Sequence, residues 1–272
     1  MNVLFIGGGN MGRALVGGLL AQGRARDAIA VVEQDTAARA RLQGEFGVHV
    51  APGIGSDVTA RAGTIVLAVK PQHLRQTAQS LAPHLTGQLV ISIAAGIRLA
   101  NLSRWLGGYT RLVRVMPNTP AMIRRGIAGL FAHPTVGDVE RKNAEDVLDA
   151  VGKTMWCERE EQLDAITAVS GSGPAYVFYF LEALIEAGQD LGFSPDQARR
   201  LAYATAGGAV ALAEQSTAPP AALRAQVTSK GGTTEAAVAV LEERAVKAAF
   251  IAAIRAAEAR ATELGDVLGK DG

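Results

Sequence analysis

Residues 5–12 read FIGGGNMG, with glycine at 7, 9 and 12. An apolar run, NVLFIG (2–7), leads into the glycines, and a helical stretch, NMGRALVGGLLAQG (10–23), follows them. Each glycine has its own task in such a turn. Gly7 permits the tight reversal, Gly9 lets backbone approach a pyrophosphate, and Gly12 lets the helix pack close to the strand. Free N–H groups and the helix dipole favour an anion at that helix start. Gly7, Gly8, Gly9, Asn10, Met11 and Gly12 are therefore expected to contact a dinucleotide. No Walker A spacing occurs in the chain, which disfavours ATP hydrolysis.

Outward from this turn, short β-branched runs alternate with amphipathic helical stretches. AIAVVE (28–33), GVHV (47–50), TIVLAVK (64–70), QLVISIAAG (88–96) and RLVRVMPNTP (111–120) read as strands. The third and fourth of these are continuously apolar, as strands buried on both faces are. Pro71 opens a helix over 71–85, since proline suits a first helical turn. AGLFAH (128–133) and KTMWC (153–157) read as two further edge strands around a helix at 137–150. Strand and helix in alternation predict a parallel sheet with helices on both faces. From about residue 159 the strand signal disappears, and 161–192 reads as helix. Ser194-Pro195 is an N-cap followed by proline, and 245–264 sets Val246, Phe250, Ile254, Ala257 and Ala261 on one stripe. The fold class expected is an α/β Rossmann-like domain over 1–158, with a mainly parallel doubly wound sheet, followed by an all-α domain over 159–272.

Composition narrows the function. The chain has 272 residues, 49% hydrophobic, and Lys+Arg 27 against Asp+Glu 26 give a net charge of +1. No basic block marks a nucleic-acid footprint. Cys157 stands alone, so no internal disulfide or cysteine-based metal cluster forms, and it reads as a packed apolar residue. His49, His73, His84 and His133 lack metal-ligand spacing. No secretion signal is read at the N-terminus, and the apolar run 201–213 is too short to span a bilayer. A cytoplasmic protein without a membrane partner is the expectation.

In an open α/β sheet, ligands sit beyond the carboxyl ends of the strands. Glu33 follows Gly12 by 21 residues, near the spacing of about 20 for a carboxylate that binds ribose hydroxyls. A carboxylate there repels a 2′-phosphate and favours NADH over NADPH; Arg39 or Arg41 in the next helix would soften that preference. The loops Ala68-Val69-Lys70-Pro71, Ala94-Ala95-Gly96 and Met116–Pro120, with Asn118, face the same edge. Small residues at Ala68, Ala94, Ala95 and Gly96 leave room for a flat nicotinamide ring. Lys70 reads as a phosphate contact, an acid or a solvated cap. No Ser-His-Asp or paired-carboxylate arrangement is present, so hydrolysis lacks its parts.

One late stretch resists a purely helical reading: VTSKGGTTEAAV (227–238). Together with FIGGGNMG, LAVKP, SIAAG, RVMPNTP and SGSGPAY, in that order across nearly the whole chain, it resembles pyrroline-5-carboxylate reductase. The resemblance implies reduction of the cyclic imine Δ1-pyrroline-5-carboxylate to L-proline with NAD(P)H. It implies an interlocked homodimer, often assembled into decamers, with a helical domain that holds the substrate. Ser229, Lys230, Gly231, Gly232, Thr233 and Thr234 then form a backbone nest for the substrate carboxylate, with Thr234 as the catalytic threonine near the imine nitrogen. SGSGPAY (170–176) matches a helix kink that faces the cofactor in the family. Three positions depart from the family pattern. Lys230 stands where proline is usual, and Glu33-Gln34-Asp35 replaces a Ser/Asn-Arg pair tied to NADPH. Gly55-Ser56 replaces an asparagine, leaving Ser56 as the cofactor contact in that loop.

Two other readings stay open on the residues. One is a reductase of another imine or of a β-hydroxyacid on the same scaffold. The β-hydroxyacid version needs a lysine on the interdomain helix, where this chain has Ser170, Ser172 and Tyr176. The other is a non-catalytic dinucleotide sensor whose helical domain binds a partner.

Overall fold

The computed structural model describes residues 2–269. The chain packs as two compact units. One comprises the chain up to Ser172 together with the stretch from Ala257 onward; the other is Gly173–Ala256. The composition of the chain changes near residue 159, but packing divides it after Ser172 and returns the latter part of its last helix, from Ala257, to the first unit.

The first unit is built on an eight-stranded sheet: β1 (Val3–Ile6), β2 (Ile29–Val32), β3 (His49–Ala51), β4 (Thr64–Leu67), β5 (Leu89–Ser92), β6 (Leu112–Met116), β7 (Gly126–Ala132) and β8 (Gly152–Trp156). Their order across the sheet is β3-β2-β1-β4-β5-β6-β7-β8. β1 to β6 run parallel, with Ile6 opposite both Val32 and Leu67. Every residue of β1, β4 and β5 is buried, which accounts for their unbroken apolar sequence. Alternation sends Val3 and Phe5 into one core, with Leu15, Leu19 and Val147, and Leu4 and Ile6 into the other, with Leu74, Leu81 and Leu102.

The helices of this unit are α1 (Asn10–Ala21), α2 (Thr36–Phe46), α3 (Ser56–Thr59), α4 (Pro71–Leu81), α5 (Leu99–Trp105), α6 (Asp138–Leu148) and α7 (Gln162–Ile166). α1 and α6 cover one sheet face, and α4 and α5 the other. One sequence expectation needs correction here. β7 is not an edge strand: it lies between β6 and β8, antiparallel to β6 and parallel to β8, so only β8 forms that edge. The helical stretch 161–192 is interrupted close to the kink expected at 170–176. After α7 the chain makes a π-helical turn over Thr167–Gly171, in which the Ser172 N–H donates to the Thr167 carbonyl five residues back at 2.8 Å. Pro174 lacks an N–H to continue the regular ladder, and proline and π-turns are common sources of a break.

The second unit is helical: α8 (Gly173–Asp190), α9 (Pro195–Glu214), α10 (Pro220–Gln226), α11 (Thr233–Glu243) and the first turns of α12 (Val246–Leu268). Ser194 caps α9 reciprocally with Gln197, Oγ accepting from the Gln197 N–H at 3.3 Å and Oε1 from the Ser194 N–H at 3.0 Å. Tyr176 and Phe180 each meet Phe250 with ring centres 5.7 Å apart. Little else apolar is covered within this unit. Phe178, Tyr179, Leu191, Val210 and Leu212 are all more than half exposed. No described helix is long and apolar enough to cross a membrane.

Candidate active site

Because β1 to β6 are parallel, the loops that follow them lie along one edge of the sheet. β2 is on one side of β1 and β4 on the other, so the chain order reverses at the β1/β4 pair, where α/β sheets bind ligands. The three glycines stand at that point, and each meets a different constraint. Gly7 has φ +105°, and a Cβ there would lie 2.6 Å from the Ala68 carbonyl oxygen. A Cβ on Gly12 would lie 2.5 Å from the Gly7 carbonyl oxygen, so only glycine lets α1 start this close to β1. Gly9 caps α1 in an extended conformation, and a Cβ there would meet nothing within 4 Å. Its backbone therefore faces open space. The N-terminus of α1 carries no side-chain cap and no acidic residue in its first turn, which leaves its N–H groups to an anion. This arrangement fits a dinucleotide pyrophosphate over Gly7–Gly12.

Glu33 lies at the end of β2, and its carboxylate is built into the turn. Oε2 accepts from the Gly8 N–H at 2.9 Å, and Oε1 from the Asp35 N–H at 2.9 Å. A carboxylate offers about four lone-pair sites, so capacity for ribose hydroxyls remains. Arg39 donates to the carbonyls of Glu33 at 3.0 Å and Gln34 at 2.6 Å, and to Thr36 Oγ1 at 2.9 Å. The guanidinium is thus occupied in shaping the β2–α2 loop. Arg41 is exposed on α2.

The remaining residues expected to border a cofactor follow along the same edge. Ser56 opens α3 beyond β3 and is exposed. Ala68 is tied to β1 by its N–H to the Ile6 carbonyl at 2.8 Å. Val69 packs on the core, and Lys70 is an exposed N-cap residue preceding Pro71 of α4. Ala94 is buried after β5, Ala95 is half-buried, and Gly96 takes φ +74°. Asn118 follows β6 and is 9% exposed. Its Oδ1 accepts from the Ile127 N–H at 3.0 Å, and its Nδ2 donates to Ser170 Oγ at 3.1 Å. The carboxamide therefore holds the π-turn to the end of β6. In the same turn Gly171 makes room for Met116, since a Cβ there would lie 2.5 Å from Met116 Cε.

Beneath this edge lies a charge network that sequence reading missed. Arg114, on β6, is 3% exposed. It donates to Glu160 Oε1 at 3.0 Å and to Asp164 Oδ1 at 3.2 Å. Glu160 Oε1 also accepts from the Leu99 N–H at 2.8 Å. The partners lie 46 and 50 residues from Arg114, beyond the reach of any periodicity signal. Arg114 also opposes a rise in the pKa of the half-buried Cys157 thiol, which burial pushes up.

In the second unit, the residues expected to hold substrate meet at the start of α11. Gly231 has φ +72°, and Gly232 is the N-cap. The Gly232 N–H donates to the Ser229 carbonyl at 3.0 Å. The Gly231 N–H donates to Glu235 Oε2 at 2.6 Å. A carboxylate oxygen thus already sits on one donor of the nest, a contact sequence reading did not foresee. Ser229, Lys230 and Thr233 are exposed, and Thr234 is half-buried. Thr234 lies one residue into α11, at its positive end.

Residues 160–264 match the family described as pyrroline-5-carboxylate reductase dimerisation, and residues 2–96 match NADP oxidoreductase coenzyme F420-dependent. The chain is 44% identical over 269 residues to the pyrroline-5-carboxylate reductase of Pseudomonas aeruginosa, covering 98% of both. A solved pyrroline-5-carboxylate reductase from Coxiella burnetii superposes with a TM-score of 0.91 at 40% identity, covering 97% of this chain and 98% of that one. The pyrroline carboxylate reductase of Plasmodium falciparum, solved with NADP bound, gives a TM-score of 0.85 at 27% identity over the same shares. With a glycine turn at the sheet's reversal point in one unit and a backbone nest in the other, the chain belongs to the pyrroline-5-carboxylate reductase family.

Proposed function

We propose that this protein reduces the C=N bond of 1-pyrroline-5-carboxylate to give L-proline, with a reduced nicotinamide dinucleotide as hydride donor. The observation that carries the reading is the glycine turn, with Gly9 open and Gly7 and Gly12 sterically obligatory, in a chain 44% identical end to end to such an enzyme. Bound NAD(P)H supplies the hydride. The chain's own residues bind, orient and exclude water. Gly7–Gly12 hold the pyrophosphate and Glu33 the ribose. Ser56, Ala68–Pro71, Ala94–Gly96 and Asn118 border the rest of the cofactor crevice.

Substrate binding falls to Ser229–Thr234. The nest N–H groups and the positive end of α11 attract the substrate carboxylate, and the Gly231 N–H is already directed at a carboxylate oxygen. Lys230 adds a positive charge beside it. The Thr234 hydroxyl donates or accepts at the imine nitrogen. A cyclic imine arrives protonated, so no strong acid is required, and the rate enhancement comes mainly from orientation. In functional terms, cofactor binding belongs to 1–158, and substrate binding with dimerisation to 159–272; the match of 160–264 to a dimerisation family supports that division.

Glu33 favours NADH, because its carboxylate repels a 2′-phosphate while Arg39 is engaged with backbone carbonyls. The exposed apolar faces of α8 and α9 support a homodimer, with a decamer as a further assembly in the family. A lone, half-buried cysteine fits the cytoplasm.

The test is direct. Purified protein is mixed with the imine and either NADH or NADPH, and loss of reduced-cofactor absorbance is followed. Turnover is expected with both, with kcat/KM for NADH at least equal to that for NADPH. No turnover with either would refute the reductase reading, and a large NADPH preference would refute the role given to Glu33. Light scattering reads the assembly.

A further inference from the structure

The loop after β5 carries Ala94, Ala95 and Gly96, and it packs against the far end of the chain. Behind Gly96 lie Leu264 and Leu268 of α12; a Cβ on Gly96 would stand 3.1 Å from Leu268 Cδ1. Arg98 follows two residues later as the N-cap of α5. Its guanidinium donates to Asp266 Oδ1 at 3.4 Å and stands 3.7 Å from Asp164 Oδ2. Gly265 is buried beside it, where a Cβ would lie 3.5 Å from Arg98 Nε. Arg104 donates to the Gly269 carbonyl at 2.9 Å.

Charge explains why this end of α12 settles here. The last turn of a helix exposes carbonyls and the negative end of the dipole, which cations stabilise. α12 has no basic residue in its last turn, and Asp266 adds a negative charge there. Arg98 and Arg104 supply the missing cations from the start and end of α5. On its other side Arg98 faces Asp164, which is 4% exposed and shared with the buried Arg114. Arg98 is thus held from two directions, and the loop it terminates has little freedom.

We propose that Arg98 is a positioning residue for the cofactor loop, and that the last turns of α12 act through it as part of the cofactor site's frame. The proposal rests on the reading that Ala94–Gly96 border the cofactor. Loosening Arg98 then weakens cofactor binding through the position of the loop.

The experiment measures NADH dissociation constants by fluorescence titration, alongside steady-state constants and melting temperature. Arg98→Gln is expected to raise the NADH dissociation constant about tenfold, with KM for the imine unchanged within about twofold. Arg98→Lys should recover most of the loss. Asp266→Asn removes an exposed partner, so folding should be unaffected, and the dissociation constant should rise about two- to fivefold, the range of a partly exposed ion pair. Arg199→Gln, which breaks the exposed Arg199–Asp196 pair on α9, serves as control and should leave it unchanged. An unchanged constant in Asp266→Asn overturns the proposal, whether or not Arg98→Gln folds. So does a rise shared by the control. Failure of the unaltered chain to bind NADH or NADPH would sink the reductase reading and this proposal with it.

Discussion

Asn118 and Ser170, 52 residues apart, are joined by a 3.1 Å hydrogen bond from the asparagine Nδ2 to the serine Oγ. The bond fastens the π-turn to the carboxyl end of β6. Its direction is set by the other end of the amide, where Oδ1 accepts from the Ile127 N–H. Ser170 is thereby an acceptor at this contact, and its own hydroxyl hydrogen is left to donate elsewhere.

Asn118→Ala removes both bonds and strands the Ile127 N–H. An unsatisfied donor costs about 1–3 kcal/mol when fully buried, and this part-buried one belongs toward the lower end. The variant should melt several degrees below the parent, at about 2–4 °C per kcal/mol for a chain of this size. Ser170→Ala loses a single bond and should cost less. Thermal unfolding of both variants, followed by circular dichroism, checks the order.

The glycines of the first turn should separate fold from function. A methyl group on Gly9 enters open space at an ordinary φ of −67°, so Gly9→Ala should keep the melting temperature while cofactor affinity falls at least tenfold. A methyl group on Gly12 meets the Gly7 carbonyl at 2.5 Å, so Gly12→Ala should lose both. Overpacking of that kind costs about 1–3 kcal/mol. Melting curves with parallel NADH titrations distinguish the two.

Arg114→Met should be among the most damaging single changes. It leaves Asp164, 4% exposed, and Glu160 without their main cation. Removing one partner of a buried ion pair costs about 3–5 kcal/mol. Urea unfolding should show the midpoint falling with little change in slope. A loss under 1 kcal/mol would mean that water reaches these carboxylates.

Thr234→Ala tests the proposed substrate site. Turnover or KM for the imine should worsen at least tenfold while NADH affinity stays within about twofold. Loss of cofactor binding instead would show that Thr234 serves the other ligand.

The Cys157 thiol should react slowly. Burial holds its pKa above the ordinary value, with Arg114 partly offsetting the effect. The folded state therefore keeps the proton to a higher pH than the unfolded chain. The associated stability is fully present below about pH 8.5, the unfolded value, and declines as pH rises toward the folded value. Alkylation by iodoacetamide, measured against pH, should reach its half-maximal rate above the pH found for the denatured chain.

Local chemistry made much of this protein readable from its residues. Glycine spacing after an apolar run marks a nucleotide turn, because backbone freedom and close approach are properties of single residues. Strand and helix periods placed the elements from β1 to β6, and Ser194-Pro195 announced α9, since caps act within one turn. The stripe Val246, Phe250, Ile254, Ala257 and Ala261 is the less exposed face of α12, as its period implied. Pairing across the chain was decided only by the tertiary structure. β7 turned antiparallel to β6 and lay inside the sheet, paired with β6 on one side and β8 on the other. Arg114 could be buried only because Glu160 and Asp164 came to meet it. Glu33 took the Gly8 N–H, Asn118 took Ser170, and Arg98 found Asp266 168 residues away. Period and propensity describe a residue's neighbours along the chain; a buried charge or amide is explained by partners that only the folded chain brings near.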